Sequence, residues 1–207
     1  MLVSSQEKLC VRCHLNALEA SHPSGLKPNM PLPKEFPADW KGDLTCSTCH
    51  TIHGDQPGLM RTAKRGKALC LSCHKMEFFD NMADGGQSLL VSGHIGQPAD
   101  LMSIGLDTYS IHCMTCHAEL GDDLAVSISN DGVMRHALGS VNHPVGVIYD
   151  EAARFGGYRP STFLPEEIKL PEGKVSCLSC HRAYTEDHGE IVRSNRGSDL
   201  CFQCHDI

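Results

Sequence analysis

Apolar positions in this 207-residue chain come in short clusters, and 19 glycines and 11 prolines interrupt them before a long element can form. No apolar stretch approaches the roughly 20 residues needed to cross a bilayer. The pattern predicts short helices joined by Pro- and Gly-rich loops, notably Pro23 to Pro37 and Gly156 to Pro171. One helix is expected to open on the capping signature Ser4-x-x-Glu7 and to stop before His22-Pro23. A second is expected from about Lys67 to Ala83, ended by Gly85-Gly86. The expected fold is mainly irregular with short α-helices and little β.

Composition sharpens this picture. Hydrophobic residues make up 41% of the chain, but 12 of them are cysteine. What remains is thin for a core built from side chains alone, so another material must fill the interior. The net charge of −7, with no basic tail, argues against nucleic acid as a partner.

The cysteines identify that material. Every one falls in a Cys-x-x-Cys-His unit: Cys10, Cys13 and His14; Cys46, Cys49 and His50; Cys70, Cys73 and His74; Cys113, Cys116 and His117; Cys177, Cys180 and His181; Cys201, Cys204 and His205. This is the attachment signature of c-type haem. Two thiols one turn apart can form thioethers to the two vinyl groups of one porphyrin, and the adjacent imidazole becomes the proximal iron ligand. Zinc sites and disulfide frameworks also use paired cysteines, yet neither requires a histidine after all six pairs. A thioredoxin-like pair would need a βαβ setting that the chain lacks. Six covalent haems (heme c, iron) are therefore expected, with the polypeptide wrapped around the array.

Covalent haem attachment takes place outside the cytoplasm, so the protein is expected to be exported, to the extracellular space or alternatively the periplasm. Met1 to Leu9 show no charged segment followed by an apolar one, which reads as a mature form with its signal peptide removed. No lipid-bearing cysteine opens the chain.

Seven histidines remain after the proximal six: His22, His53, His94, His112, His136, His143 and His188. Seven candidates for six distal positions point to irons that each carry two histidines. His112 abuts Cys113, so it can reach a neighbouring haem more easily than its own, and either it or His136 is a candidate for the spare. Met30, Met60, Met76, Met82, Met102, Met114 and Met134 read as apolar packing around porphyrins.

An internal repeat organises these motifs. Cys46 to Cys70 spans 24 residues, as does Cys177 to Cys201, and at the offset of 131 Arg65, Gly66 and Leu69 meet Arg196, Gly197 and Leu200. Upstream lie His22-Pro-Ser-Gly25 and His143-Pro-Val-Gly146, each preceded by a single motif. The chain reads as two three-haem modules, 1–90 and 91–207, forming one continuous haem chain. Where the first copy has His53-Gly54 the second has Tyr184, and its own His188-Gly189 comes four positions later. His53 and His188 are expected to play one role.

Doubled Cys-x-x-Cys-His units, with His50-Thr-Ile-His53-Gly54 between them and His-Pro-x-Gly before them, resemble the multihaem cytochromes with a doubled haem motif, including extracellular cytochrome filament (nanowire) subunits. The resemblance implies His53 and His188 as distal ligands. For a filament member it also implies end-to-end haem stacking, with a ligand crossing between subunits. The third haem can look downstream to His94, whereas only Asp206 and Ile207 follow the last motif. The last haem would take its ligand from upstream or from another molecule, with His22 a candidate donor.

Smaller features complete the reading. Arg61, Lys64, Arg65 and Lys67 form a basic cluster, either a solvated face or partners for haem propionates. Trp40, Tyr109, Tyr149, Tyr158 and Tyr184 are expected to pack on haem faces or loops. The leading function is electron transfer without substrate turnover, because a bis-histidine iron has no open position. A filament subunit associating head to tail competes with a periplasmic shuttle and with a subunit of a redox complex. A multihaem reductase is the rival from another class, and no integral membrane segment is expected.

Overall fold

The computed structural model describes residues 4–15, 22–80, 105–117, 126–128, 134–136, 145–186 and 189–206. Its contacts form two compact units, Met1–Gly96 with Ala183–Glu186, and Gln97–Arg182 with Asp187–Ile207.

The architecture is irregular with short helices. The first unit holds α1 (Gln6–Cys10), α2 (Cys46–Cys49), α3 (Lys67–Cys70) and α4 (Met76–Asp80). The second holds α5 (Thr108–His117), a two-stranded antiparallel hairpin of β1 (Val126–Ile128) and β2 (Met134–His136), α6 (Tyr149–Ala153), α7 (Cys177–Cys180) and α8 (Cys201–Cys204). Its register pairs Val126 with His136, Ser127 with Arg135 and Ile128 with Met134. Among the described residues no helix is long and apolar enough to cross a membrane.

Two expected helices are shorter than their hydrophobic patterns allow. The cap of α1 is Ser5 rather than Ser4, its hydroxyl accepting the Lys8 N–H, and the helix ends at Cys10. The Cys10 carbonyl there accepts both the Cys13 and His14 amides, a tightened turn that departs from the α path. Glu7 takes no part in a cap; its carboxylate accepts the Ser24 hydroxyl at 2.7 Å. The predicted Lys67–Ala83 helix is likewise interrupted after Cys70, whose carbonyl accepts the Cys73 and His74 amides, and helix resumes only at Met76.

The helices of the doubled motifs start alike. Thr45 N–H donates to the Thr48 hydroxyl at 2.9 Å before α2, and Ser176 N–H to the Ser179 hydroxyl at 3.0 Å before α7. These reciprocal boxes satisfy amides that a four-residue helix could not satisfy alone. The glycine of each His-Pro-x-Gly string feeds the same construction. Gly25 N–H donates to Leu44 and Gly146 N–H to Val175, each acceptor lying one residue before the box. Both glycines have positive φ (79° and 96°), and a Cβ on Gly146 would sit 3.1 Å from the Gly105 carbonyl oxygen.

Side-chain cores are small. Leu106, Ile111, Met114 and Val145 pack together in the second unit with Cys177 against them. In the first, Phe36 and Phe79 are buried, Phe78 meets Phe79 edge-on at 5.2 Å, and the Lys67 ammonium lies 4.9 Å over the Phe79 ring.

Candidate haem-binding sites

Each Cys-x-x-Cys-His unit lies on one turn of helical backbone. The His14, His50, His74, His181 and His205 amides donate to the carbonyls of Cys10, Cys46, Cys70, Cys177 and Cys201 at 2.9–3.1 Å. In the fourth unit α5 runs through the whole motif, Cys113 to His117. The turn gathers two thiols and an imidazole over a few ångströms of helix axis, as attachment to two vinyl groups and one iron requires.

The imidazoles fit that use. His50 Nδ1 lies 2.8 Å from the Gly58 carbonyl oxygen. A carbonyl only accepts, so Nδ1 carries the proton and the lone pair is on Nε2, the tautomer a metal needs. Burial holds the His74 pKa below its ordinary value, which favours the neutral, ligating form, and Phe78 stacks on its ring at 4.1 Å. Among the described residues no three or more His, Cys, Asp or Glu side chains converge on a bare metal ion, and no cysteine is in a disulfide.

The thiols reveal which motifs are neighbours. Burial, then Cys10, pushes the Cys46 thiol up to about 11. Burial raises both Cys49 and Cys73; Arg61 partly offsets it at Cys49, and beyond that Cys70 raises Cys49 while Cys49 raises Cys73. In the second unit a side-chain hydrogen bond from Cys113 draws the Cys177 thiol down, while burial followed by Cys204, Cys177 and Cys201 pushes Cys180 up to about 11. The order is the same in both units: single motif beside the first cysteine of the doubled motif, second cysteine beside the last motif.

Short polar ties hold these neighbours. In the first unit Gln6 Oε1 accepts the Ser47 N–H at 3.0 Å, joining α1 to α2. In the second, the fully buried Asp107 accepts the Tyr109 and Ser110 amides and the Ser110 and Ser176 hydroxyls, while Ser110 accepts the Cys177 amide at 3.1 Å. The repeat also recurs around the doubled motifs. Arg61 N–H donates to Cys49 and Val192 N–H to Cys180, beside the bridges His50–Met60 and His181–Ile191.

The sixth motif is clamped by α6 and the chain after it. Tyr149, buried, donates its hydroxyl to the Arg159 carbonyl at 2.8 Å and to Cys204 at 3.2 Å, and its phenol is pushed up to about 12, mainly by burial. Tyr158 bridges to His205, ring centroids 4.8 Å apart. Tyr149→Phe is expected to cost about 1–2 kcal/mol, read as a lower denaturation midpoint; an unchanged midpoint would contradict this clamp.

The distal candidates distribute unevenly. His22 is brought to 6.1 Å from His74, centroid to centroid. His53 is exposed after α2, His112 lies on α5, and His136 is in β2. His94, His143 and His188 lie outside the described residues. Met30, Met60 and Met114 are buried as expected of packing residues, whereas Met76 is half exposed, because α4 turns its Phe79 face inward instead. Met82 and Met102 are outside the described residues, as is the side chain of Met134.

In the basic cluster Arg61, Lys64 and Arg65 are exposed, as expected of a solvated face, and Lys67 is half-buried; the three exposed cations also bond locally. Arg61 donates to the Ser47 carbonyl, Arg65 to those of Thr62, Lys64 and Pro57, and Lys64 to the Ser72 hydroxyl, with Glu35 at 3.7 Å. These cations tie down the loop between two motifs. Trp40 stands 80% exposed with Lys41 over its ring, since the tight Asp39 turn carries it outward. Asp107 and Phe78 carry no haem-motif signal in the sequence, although Asp107 three residues before Ser110 is the pattern of a capped helix start.

The protein family described as Doubled CXXCH motif matches the chain twice, over residues 38–77 and 170–207. The matches cover the second, third, fifth and sixth motifs and support a multihaem c-type cytochrome in electron transfer. No curated protein and no solved structure matches the chain.

Proposed function

We propose that this chain is an exported hexahaem cytochrome that relays electrons along closely spaced bis-histidine haems, without turning over a substrate, as the subunit of an extracellular conductive filament. The neighbouring of consecutive motifs carries the reading. Cys10 beside Cys46 and Cys113 beside Cys177 set attachment thiols of consecutive motifs side by side, so haems held there would lie close together. The chain's part is to hold this spacing, orient the imidazoles through bonds such as His50 to Gly58, and exclude water from the irons.

Two arguments support the finer claims. Seven histidines beyond the proximal set suffice to close six irons, which favours relay over catalysis. The two-copy organisation and the resemblance to filament subunits favour a head-to-tail contact, which does not close and so propagates as a polymer.

Electron microscopy of the natively exported, unsheared protein tests the assembly. Long filaments with one chain per repeat are expected; compact single particles would overturn the polymer and leave a periplasmic shuttle or a complex subunit. Carbon monoxide added to the reduced protein tests the relay. Little binding is expected, and stoichiometric binding would instead indicate an open, reductase-like iron.

A further inference from the structure

We propose that His22 is the sixth ligand of the iron held by Cys70, Cys73 and His74, and that Tyr184 positions it. This rests on the haem reading above. The centroid spacing of His22 and His74 is 6.1 Å with a 44° tilt between rings. Two imidazoles sharing one metal through nitrogen bonds of about 2 Å have centroids roughly 6 Å apart.

The chain holds His22 at that position from two sides. Behind it, Gly25 in the left-handed region donates to the Leu44 carbonyl, and the Leu44 N–H donates back to Leu26, so the chain just after His22-Pro23 is pinned by an antiparallel bridge to the segment that leads into α2. On the other side, the Tyr184 ring lies parallel to the His22 ring, 5° apart in tilt with centroids at 6.0 Å. Its hydroxyl donates to the Pro23 carbonyl.

Tyr184 is itself held in place. Residues 183–186 belong to the first unit, where Asn29 donates its amide N–H to the Tyr184 carbonyl and its side-chain N–H to that of Ala183. The residue has φ of 57°, a conformation costly for a bulky side chain and maintained only where surrounding bonds impose it. Tyr184 occupies the repeat position of His53. In the second copy, therefore, a ligand position has become a support for another ligand.

The assignment replaces both earlier candidates, His94 as donor to this haem and His22 as donor to the last. Intact mass of the exported, haem-loaded full chain counts haems, while electron paramagnetic resonance and visible spectra report the spin state of the irons. His22→Ala is expected to retain every haem, convert one iron per chain from low to high spin, and create one carbon monoxide equivalent on reduction. His22→Met is expected to stay low spin and raise one midpoint potential, since thioether ligation raises potential; it serves if the alanine chain does not accumulate. Tyr184→Phe and, more strongly, Tyr184→Ala are expected to shift that same potential with mass and spin state unchanged. A His22→Ala chain with all irons low spin, or a high-spin iron arising only in His94→Ala, overturns the ligand. Unmoved potentials in both Tyr184 variants overturn the positioning role. A wild-type chain carrying no covalent haem would defeat the cytochrome reading itself, and mass shows that before any variant is made.

Discussion

Replacing Cys177 and Cys180 together by serine is expected to remove one haem from the chain and to break the electron path through the second unit. The two thiols flank the centre of that unit. The Cys177 thiol is hydrogen-bonded by that of Cys113 on one side, and Cys180 lies near Cys201 and Cys204 on the other. Serine keeps the size of the side chain and the capping boxes that start α7, but it offers no thiolate to add to a vinyl group. Intact mass should fall by one haem. Electron exchange with an added oxidant should lose its fast phase, because haems held by the Cys113–His117 and Cys201–His205 motifs would then have none between them, and electron transfer slows steeply with distance. A protein that keeps its full haem mass, or one that loses a haem yet exchanges electrons as fast as before, would count against the central placement of this motif.

The next largest effect is expected at Asp107. Alanine there should lower the stability of the haem-loaded protein by about 3–4 kcal/mol, combining a lost helix cap with charge-assisted bonds that have no water to replace them. The carboxylate is fully buried and accepts two amides and two hydroxyls. Its removal strands Ser110 and Ser176, which in turn cap Cys177 and Leu178. Asparagine should cost about half as much, since its carbonyl still caps α5 while its amide cannot accept the second hydroxyl. Denaturation midpoints for the wild type and both variants check the order. A shift within the roughly 0.5 kcal/mol of an ordinary surface substitution would show that the network does not join α5 to α7.

How far the sequence can be read depends on the range of the interaction. The six Cys-x-x-Cys-His units are local chemistry, and all lie on a helical turn wherever the chain places them, five closed by an amide from their own histidine and the fourth carried inside α5. The irregular, helix-poor architecture followed from the frequency of glycine and proline. Helix length did not follow. The patterns around Ser4 and Lys67 allowed longer helices, but the Cys10 and Cys70 carbonyls each take two amides and end them. Hydrophobic periodicity does not register that competition.

Pairing was the part that needed the fold. His22 is 52 positions from His74 and Tyr184 is 162 from His22, and no spacing rule connects them. The same holds for Asp107 and Ser176, or Gln6 and Ser47. The sequence by itself determined what the chain attaches, through motifs whose atoms are covalently close. Which imidazole faces which motif, and which buried carboxylate holds two motifs together, was decided only by tertiary structure, because these contacts arise when distant segments are brought together and desolvated.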